Sequence, residues 1–200
     1  MHATIKYNKV FCIGLSRTGT TSLHELLQEL DLRSVHYIEP LIEGKDWTLV
    51  DHNDAISDTP IPLLFKSCDQ RYPHSKFILT TRNKDAWLDS MKWLFRHGKV
   101  IWNWPRSVDQ YHRELYGTKN YDQKKLSRAF DEYHDKARSY FKDRPEDLLE
   151  INIDNGFEVK AICDFLNVPL KKVTPIHIRD RRSASFQEFI KYKLRWLLTR

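Results

Sequence analysis

The chain has 200 residues, 40% hydrophobic and 12% aromatic, which is enough apolar material for one α/β domain with a buried core and too little chain for two. A formal net charge of +6 favours acidic partners such as phosphates, sulfates or anionic polymers, although an excess of that size is also common in ordinary soluble proteins. No apolar stretch of signal-peptide length precedes the first strand and no window approaches the roughly 20 apolar residues of a membrane span, so a cytoplasmic protein is expected.

Lys9 to Leu15 is a short apolar run that predicts the first strand, and Leu23, Leu26, Leu27 and Leu30 behind it recur at helical spacing. Ser34 to Ile38 suggests a second short strand, followed by a polar stretch. Thr59 to Cys68 reads as helical from about Pro62. Lys76 to Thr81 (KFILTT) is the clearest later strand, and Asn83 to Phe95 continues as a helix with Trp87, Leu88 and Met91 inward. Residues 96 to 120 read as irregular, and Asp122 to Lys142 as a charged amphipathic helix. A strand at 148 to 153 (LLEINI) and a helix from Phe157 to Leu166 follow, then a basic loop over 170 to 185 and a helix from about Phe186. Cys12, Cys68 and Cys163 are odd in number and set apart in apolar patterns, which suggests reduced core residues and neither disulfides nor a metal site. Strands alternating with helices predict an α/β domain over 1–200, with a mostly parallel central sheet flanked by helices on both faces.

Between the first strand and helix lies GLSRTGTT, residues 14 to 21. Gly14 and Gly19 would let the backbone turn tightly around an anion. Ser16, Thr18, Thr20 and Thr21 would supply hydroxyls and amides at a helix N-terminus, where the dipole favours negative charge. The triphosphate-binding form G-x-x-x-x-G-K-[ST] requires lysine where this chain has Thr20, and the cation sits instead at Arg17. A second motif, TTRNKDAWLDS, ends the KFILTT strand. Arg82 would emerge at the carboxyl edge of the sheet, where open α/β sheets bind ligands, with Ser90 on the next helix in reach of the same phosphate. Taken alone, Arg82 could equally be a surface partner of Asp85 or Asp89. Two phosphate sites on neighbouring strand ends suggest a nucleotide with separated phosphates.

Together these residues resemble the sulfotransferases that use 3′-phosphoadenosine 5′-phosphosulfate. In that family a [KR]-x-[ST]-G-T-[ST] loop follows the first strand, matched by Arg17, Thr18, Gly19, Thr20 and Thr21. An arginine ending a later strand and a serine eight positions on hold the 3′-phosphate, matched by Arg82 and Ser90. NGFEVKAICDFLNVP and HIRDRRSASF are similar to the family's late helix and its basic closing loop, so the likeness runs from Lys9 to about Phe189. The shortness of the chain resembles the compact bacterial-type and carbohydrate-type branches. The resemblance implies a P-loop NTPase-like sulfotransferase fold without a metal. It also implies transfer of a sulfuryl group to a hydroxyl or amine, with 3′-phosphoadenosine 5′-phosphate as the product nucleotide. Arg17 and the loop amides would stabilise charge on the departing phosphate, Thr20 and Thr21 would hold the 5′ end, and Arg181 among the basic residues Arg179, Arg181 and Arg182 would close over the nucleotide.

For the base that takes the acceptor proton, His36, His52, Asp54 and Asp58 all qualify by position, with His52 first because VDHNDAISD reads as a polar segment lining the cleft. The acceptor, a small molecule or a carbohydrate, would be met by residues 92 to 120. There Trp93, Trp102, Trp104, Tyr111 and Tyr116 could stack on a ring, and Arg96, Lys99, Arg106 and Arg113 could meet an acid. Two other classes compete: a P-loop kinase-like phosphoryl transferase, which Thr20 in the lysine position opposes, and a non-catalytic module binding nucleic acid or an anionic surface through its basic face and the ending FIKYKLRWLLTR. No nucleic-acid partner is expected under the leading reading.

Overall fold

Short strands alternate with helices along the chain, and every strand pairing is parallel. The computed structural model describes residues 7–171 and 173. In order these form β1 (Val10–Cys12), α1 (Thr20–Glu29), β2 (Ser34–His36), α2 (Glu39–Gly44), α3 (Thr48–Asp51), β3 (Ala55–Ser57), α4 (Ile61–Arg71), β4 (Lys76–Thr81), α5 (Lys84–Trp93), a π-helical turn (Leu94–Gly98), α6 (Lys99–Ile101), α7 (Arg106–Tyr116), α8 (Gln123–Phe141), β5 (Leu148–Asn152) and α9 (Val159–Leu166). The sheet order is β2-β3-β1-β4-β5. From β3 the chain crosses to the far side of β1 to build β4, so the direction of winding reverses across β1. The carboxyl ends of β3, β1 and β4 therefore flank the crevice where α/β sheets take ligands.

The central strands β3, β1 and β4 are buried on both faces, and the two-residue period sorts side chains into two cores. Phe11, Ile13, Ile56, Phe77 and Leu79 face Phe65, Trp87, Tyr133 and Phe141 on α4, α5 and α8. Val10, Cys12, Ala55 and Ile78 face Leu23, Leu26 and Leu27 of α1 and Ile162, Cys163 and Leu166 of α9. The cysteines are all free and buried, as their apolar surroundings predict. Capping is local: the Asn83 side chain accepts from the Ala86 amide at the start of α5, and Asp122 accepts from Lys125 at the start of α8.

The polar segment expected over VDHNDAISD contains a central strand. Ala55, Ile56 and Ser57 are all buried in β3, a run too short to display a period between its flanking aspartates. Residues 96 to 120, expected to be irregular, include α7, which buries Val108, Tyr111, His112 and Tyr116 and ends on Gly117 at φ 68. Aromatic and histidine residues have modest helix propensity, and burial against α4 and α8 outweighs it. The basic loop, Arg181 and the helix expected from Phe186 lie outside the described residues apart from 170, 171 and 173.

Candidate functional site

The loop from Gly14 to Gly19 joins β1 to α1 at the carboxyl edge of the sheet. Gly14 is required by close approach: a Cβ there would lie 1.9 Å from Thr80 Oγ1 and 2.9 Å from the Thr80 carbonyl oxygen on β4. Gly19 is required by conformation. It caps α1 at φ 82 with no side-chain cap bond, so the first amides of α1 are left for another acceptor. Arg17 also lies in the left-handed region, at φ 73, an unusual posture for a long side chain and one that concentrates strain in the loop. Thr18 is turned inward. Its hydroxyl donates to the Leu15 carbonyl at 2.7 Å and meets Thr80 Oγ1 at 2.8 Å, and its amide donates to Leu15 as well. The Thr18 hydroxyl and amide, expected to face an anion, are thus both engaged within the protein and build the loop. Trp87 Nε1 donates to the Ser16 carbonyl at 3.0 Å and the Tyr133 hydroxyl to the Ile13 carbonyl, pinning the loop to α5 and α8.

Arg82 follows β4 directly, and Ser90 lies on the buried face of α5. The two motifs meet. Arg17 Nε donates to Ser90 Oγ at 3.0 Å, and Arg82 Nη1 donates to the Arg17 carbonyl at 3.2 Å. Arg82 Nε is buried with no hydrogen-bond partner among the described residues. Burial lowers the pKa of the Arg82 guanidinium, and the carboxylate of Asp154 opposes that shift. A half-buried cation whose Nε–H is buried and unfilled favours an anion beside it. Trp93, one turn beyond Ser90, lies under the Arg17 guanidinium at 5.3 Å, with Trp102 edge-on to it at 6.0 Å.

On the other flank, Asp58 ends β3 at φ 67. Its Oδ1 accepts from Ser16 Oγ at 3.3 Å, and its Oδ2 lies 3.3 Å from Nε2 of His36, the last residue of β2. The register that pairs His36 with Ser57 brings these side chains to one edge. Asp58 also faces the aromatic side: burial pushes Tyr37 up to about 12, with Glu39 and then Asp58 adding to the shift. Burial raises Tyr111 and Tyr116 as well, and the Asp58 carboxylate contributes to both.

His52 is not part of this group. It ends α3 just before β3, at the amino edge of the sheet, with Nδ1 2.8 Å from the Thr48 carbonyl oxygen. Lys9, immediately before β1, binds the carbonyls of Asp51 and Asn53 on either side of it. The length of β3 thus separates His52, expected as the first choice for a base, from Asp58 at the other edge. Asp54 is at the same edge as His52 and is engaged by Arg33 at 2.7 Å. Of the aromatics expected to meet an acceptor, Tyr111 and Tyr116 are buried in the core and Trp104 packs against it, whereas Trp93 lies under Arg17 and Trp102 packs against Trp93. Lys99 is paired with Asp109. Thr80, which sequence reasoning missed, supports the loop; its only signal was its position two residues before Arg82.

The assembled edge can grip an anion between a helix N-terminus and two arginines while presenting a carboxylate beside it. The chain is similar to the Ava biosynthesis cluster protein M of Aspergillus versicolor, with 28% identity over 215 residues covering 85% of this chain and 80% of that protein. Its residues 9–52 and 44–182 match the family described as the Sulfotransferase domain, a span that takes in the loop, Arg82, Ser90 and Asp58. The chain belongs to the sulfotransferase domain family.

Proposed function

We infer that this chain transfers the sulfuryl group of 3′-phosphoadenosine 5′-phosphosulfate to a hydroxyl or amine of a small-molecule or carbohydrate acceptor. The observation that carries this reading is the junction of the two motifs, in which Arg17 reaches Ser90 and Arg82 reaches the Arg17 carbonyl, leaving Arg82 Nε buried and unfilled. The donor nucleotide supplies the sulfuryl group and leaves as 3′-phosphoadenosine 5′-phosphate. Arg82 and Ser90 hold the 3′-phosphate, and the amides at the start of α1 with Thr20 and Thr21 hold the 5′ end. Arg17 compensates the negative charge that grows on the 5′-phosphate. Asp58, held by Ser16 and beside His36, takes the proton from the acceptor. Ser16 thus serves the carboxylate as well as the loop.

The test is thermal unfolding with 3′-phosphoadenosine 5′-phosphate, ATP with magnesium, or a dinucleotide, since a ligand of the folded state raises its apparent stability. Stabilisation by the first alone, reduced about tenfold or more in affinity by Arg82→Ala, is the expected result. Stabilisation by ATP with magnesium alone would replace this reading with phosphoryl transfer.

A further inference from the structure

The His36 imidazole has a position that the donor and base assignments do not by themselves require. One ring atom, Nε2, lies 3.3 Å from Asp58 Oδ2, 3.3 Å from Thr21 Oγ1 and 3.4 Å from Thr20 Oγ1. All three distances are at the long end of the hydrogen-bond range, as expected for an atom shared among partners. Nε2 of a neutral ring is either an N–H donor or a bare acceptor. A carboxylate only accepts, so the contact with Asp58 requires Nε2–H. Bare Nε2 can be served only by the threonine hydroxyls, and then the carboxylate faces a lone pair. Nε2 therefore has two exclusive states: bare, when it can only accept from the Thr20 or Thr21 hydroxyl, and protonated, when it can donate to Asp58 or compete for a threonine oxygen instead. The rest of its surroundings tolerates either: His24 of α1 packs at 5.5 Å with its own Nδ1 on Ser34, and the side chain is 21% exposed, so water can carry the proton between ring nitrogens without net uptake. Burial, reinforced by His36, lowers the pKa of His24, with Glu25 opposing.

We propose that His36 is a positioning residue that couples donor binding to the base: an anion filling the loop engages the Thr20 and Thr21 hydroxyls, removes the competing partners of Nε2, and commits Nε2–H to Asp58. Filling the donor site then raises the fraction of molecules in which the carboxylate is held on both oxygens, by Ser16 and by His36. The direction follows from population shift, since a ligand that binds better when the threonines are released from His36 selects the Asp58-facing tautomer. This inference rests on the reading of the loop as the donor site.

The test uses the whole protein with ¹⁵N-labelled histidine rings at about pH 8. Long-range proton–nitrogen spectra report the tautomer of each ring, and 3′-phosphoadenosine 5′-phosphate is the probe. On saturation the ratio of Nε2–H to Nδ1–H at His36 is expected to rise on the order of threefold or more, with the His52 and His134 signals unmoved. Asp58→Ala should abolish the rise while retaining binding, and the double variant T20V/T21V should hold His36 in the Nε2–H form without any nucleotide. Nucleotide binding with an unchanged His36 ratio, an undiminished rise in Asp58→Ala, or a T20V/T21V ring still without Nε2–H would each overturn the coupling. Failure of the wild-type protein to bind the nucleotide would instead overturn the donor assignment, and the coupling with it.

Discussion

Gly14→Ala tests the physical account of the loop without reference to any ligand. The added Cβ would stand 1.9 Å from Thr80 Oγ1, about 1.5 Å inside ordinary contact. Thr80 is fully buried and β-branched, so rotating its side chain puts either the methyl group or a hydrogen where the hydroxyl was and in both cases breaks the contact with Thr18. The Thr80 carbonyl oxygen at 2.9 Å forbids a pure side-chain solution, and the loop must separate from β4. Overpacking of this kind costs about 1–3 kcal/mol, and loss of the Thr18–Thr80 hydroxyl contact adds about 1 kcal/mol, giving about 2–4 kcal/mol in all. Urea unfolding followed by tryptophan fluorescence measures this as a lower midpoint at unchanged slope. Thr80→Ala removes the nearest obstructing atom, so the double variant G14A/T80A should be more stable than the sum of the single losses predicts by about 1 kcal/mol or more. A Gly14→Ala loss below about 0.5 kcal/mol, or strict additivity with Thr80→Ala, would refute the close-approach argument.

Three further outcomes are expected. Arg17→Ala should lower the transfer rate by roughly a hundredfold or more and also weaken binding of 3′-phosphoadenosine 5′-phosphate, measured by kinetics and by calorimetry. His52→Ala should leave turnover within about twofold of wild type in the same assay, because its ring is at the opposite edge of the sheet. Burial among Phe95, Trp104 and Tyr116 lowers His112 to about 4. Since the unfolded histidine titrates near ~6.5, the unfolded chain takes up a proton that the folded one refuses, and stability falls by up to about 3 kcal/mol as pH drops from ~6.5 towards 4. His112→Phe should flatten that loss, read from urea midpoints across the acid range.

Elements with a strong repeating pattern could be read from the sequence, and those held by tertiary contacts could not. The leucines of α1 and the run KFILTT declared themselves because each is long enough for its period to register. β3 has three residues and owes its existence to pairing with β1 and β2 on either side, information absent from AIS itself. That omission also explains why His52 and Asp58 read as neighbours. Without a strand at 55–57, His52 and Asp58 look like members of one polar segment, whereas a parallel strand carries them to opposite edges. Arg82 and Ser90 were recoverable because one follows a clear strand and the other sits two helical turns further on. The contact of Arg17 with Ser90 spans 73 residues and has no local signature.

That contact bears on how the site divides its work. If the loop held only the 5′ end and the second motif only the 3′-phosphate, substitutions would separate into effects on rate and effects on donor affinity. Arg17 crosses the division: its carbonyl is bound by Arg82, its Nε by Ser90, and its guanidinium rests on Trp93. Its φ of 73 and its reach to Ser90 on α5 put backbone strain and the cross-site contact on the same residue. Ser90 has one hydroxyl, and the same oxygen that accepts from Arg17 can donate its proton to a phosphate. A bound 3′-phosphate can thus join this chain of donors without dismantling it, so that Ser90 and Arg17 reinforce each other's hold on the anion. The arginine that replaces the usual loop lysine has a longer, forked side chain, and a lysine in its place would offer no planar face to Trp93 and a single point charge to be shared between two sites. The shift of the cation from the Thr20 position to Arg17 is therefore tied to the second motif, and Arg17→Lys is not a conservative change here even though it preserves the charge.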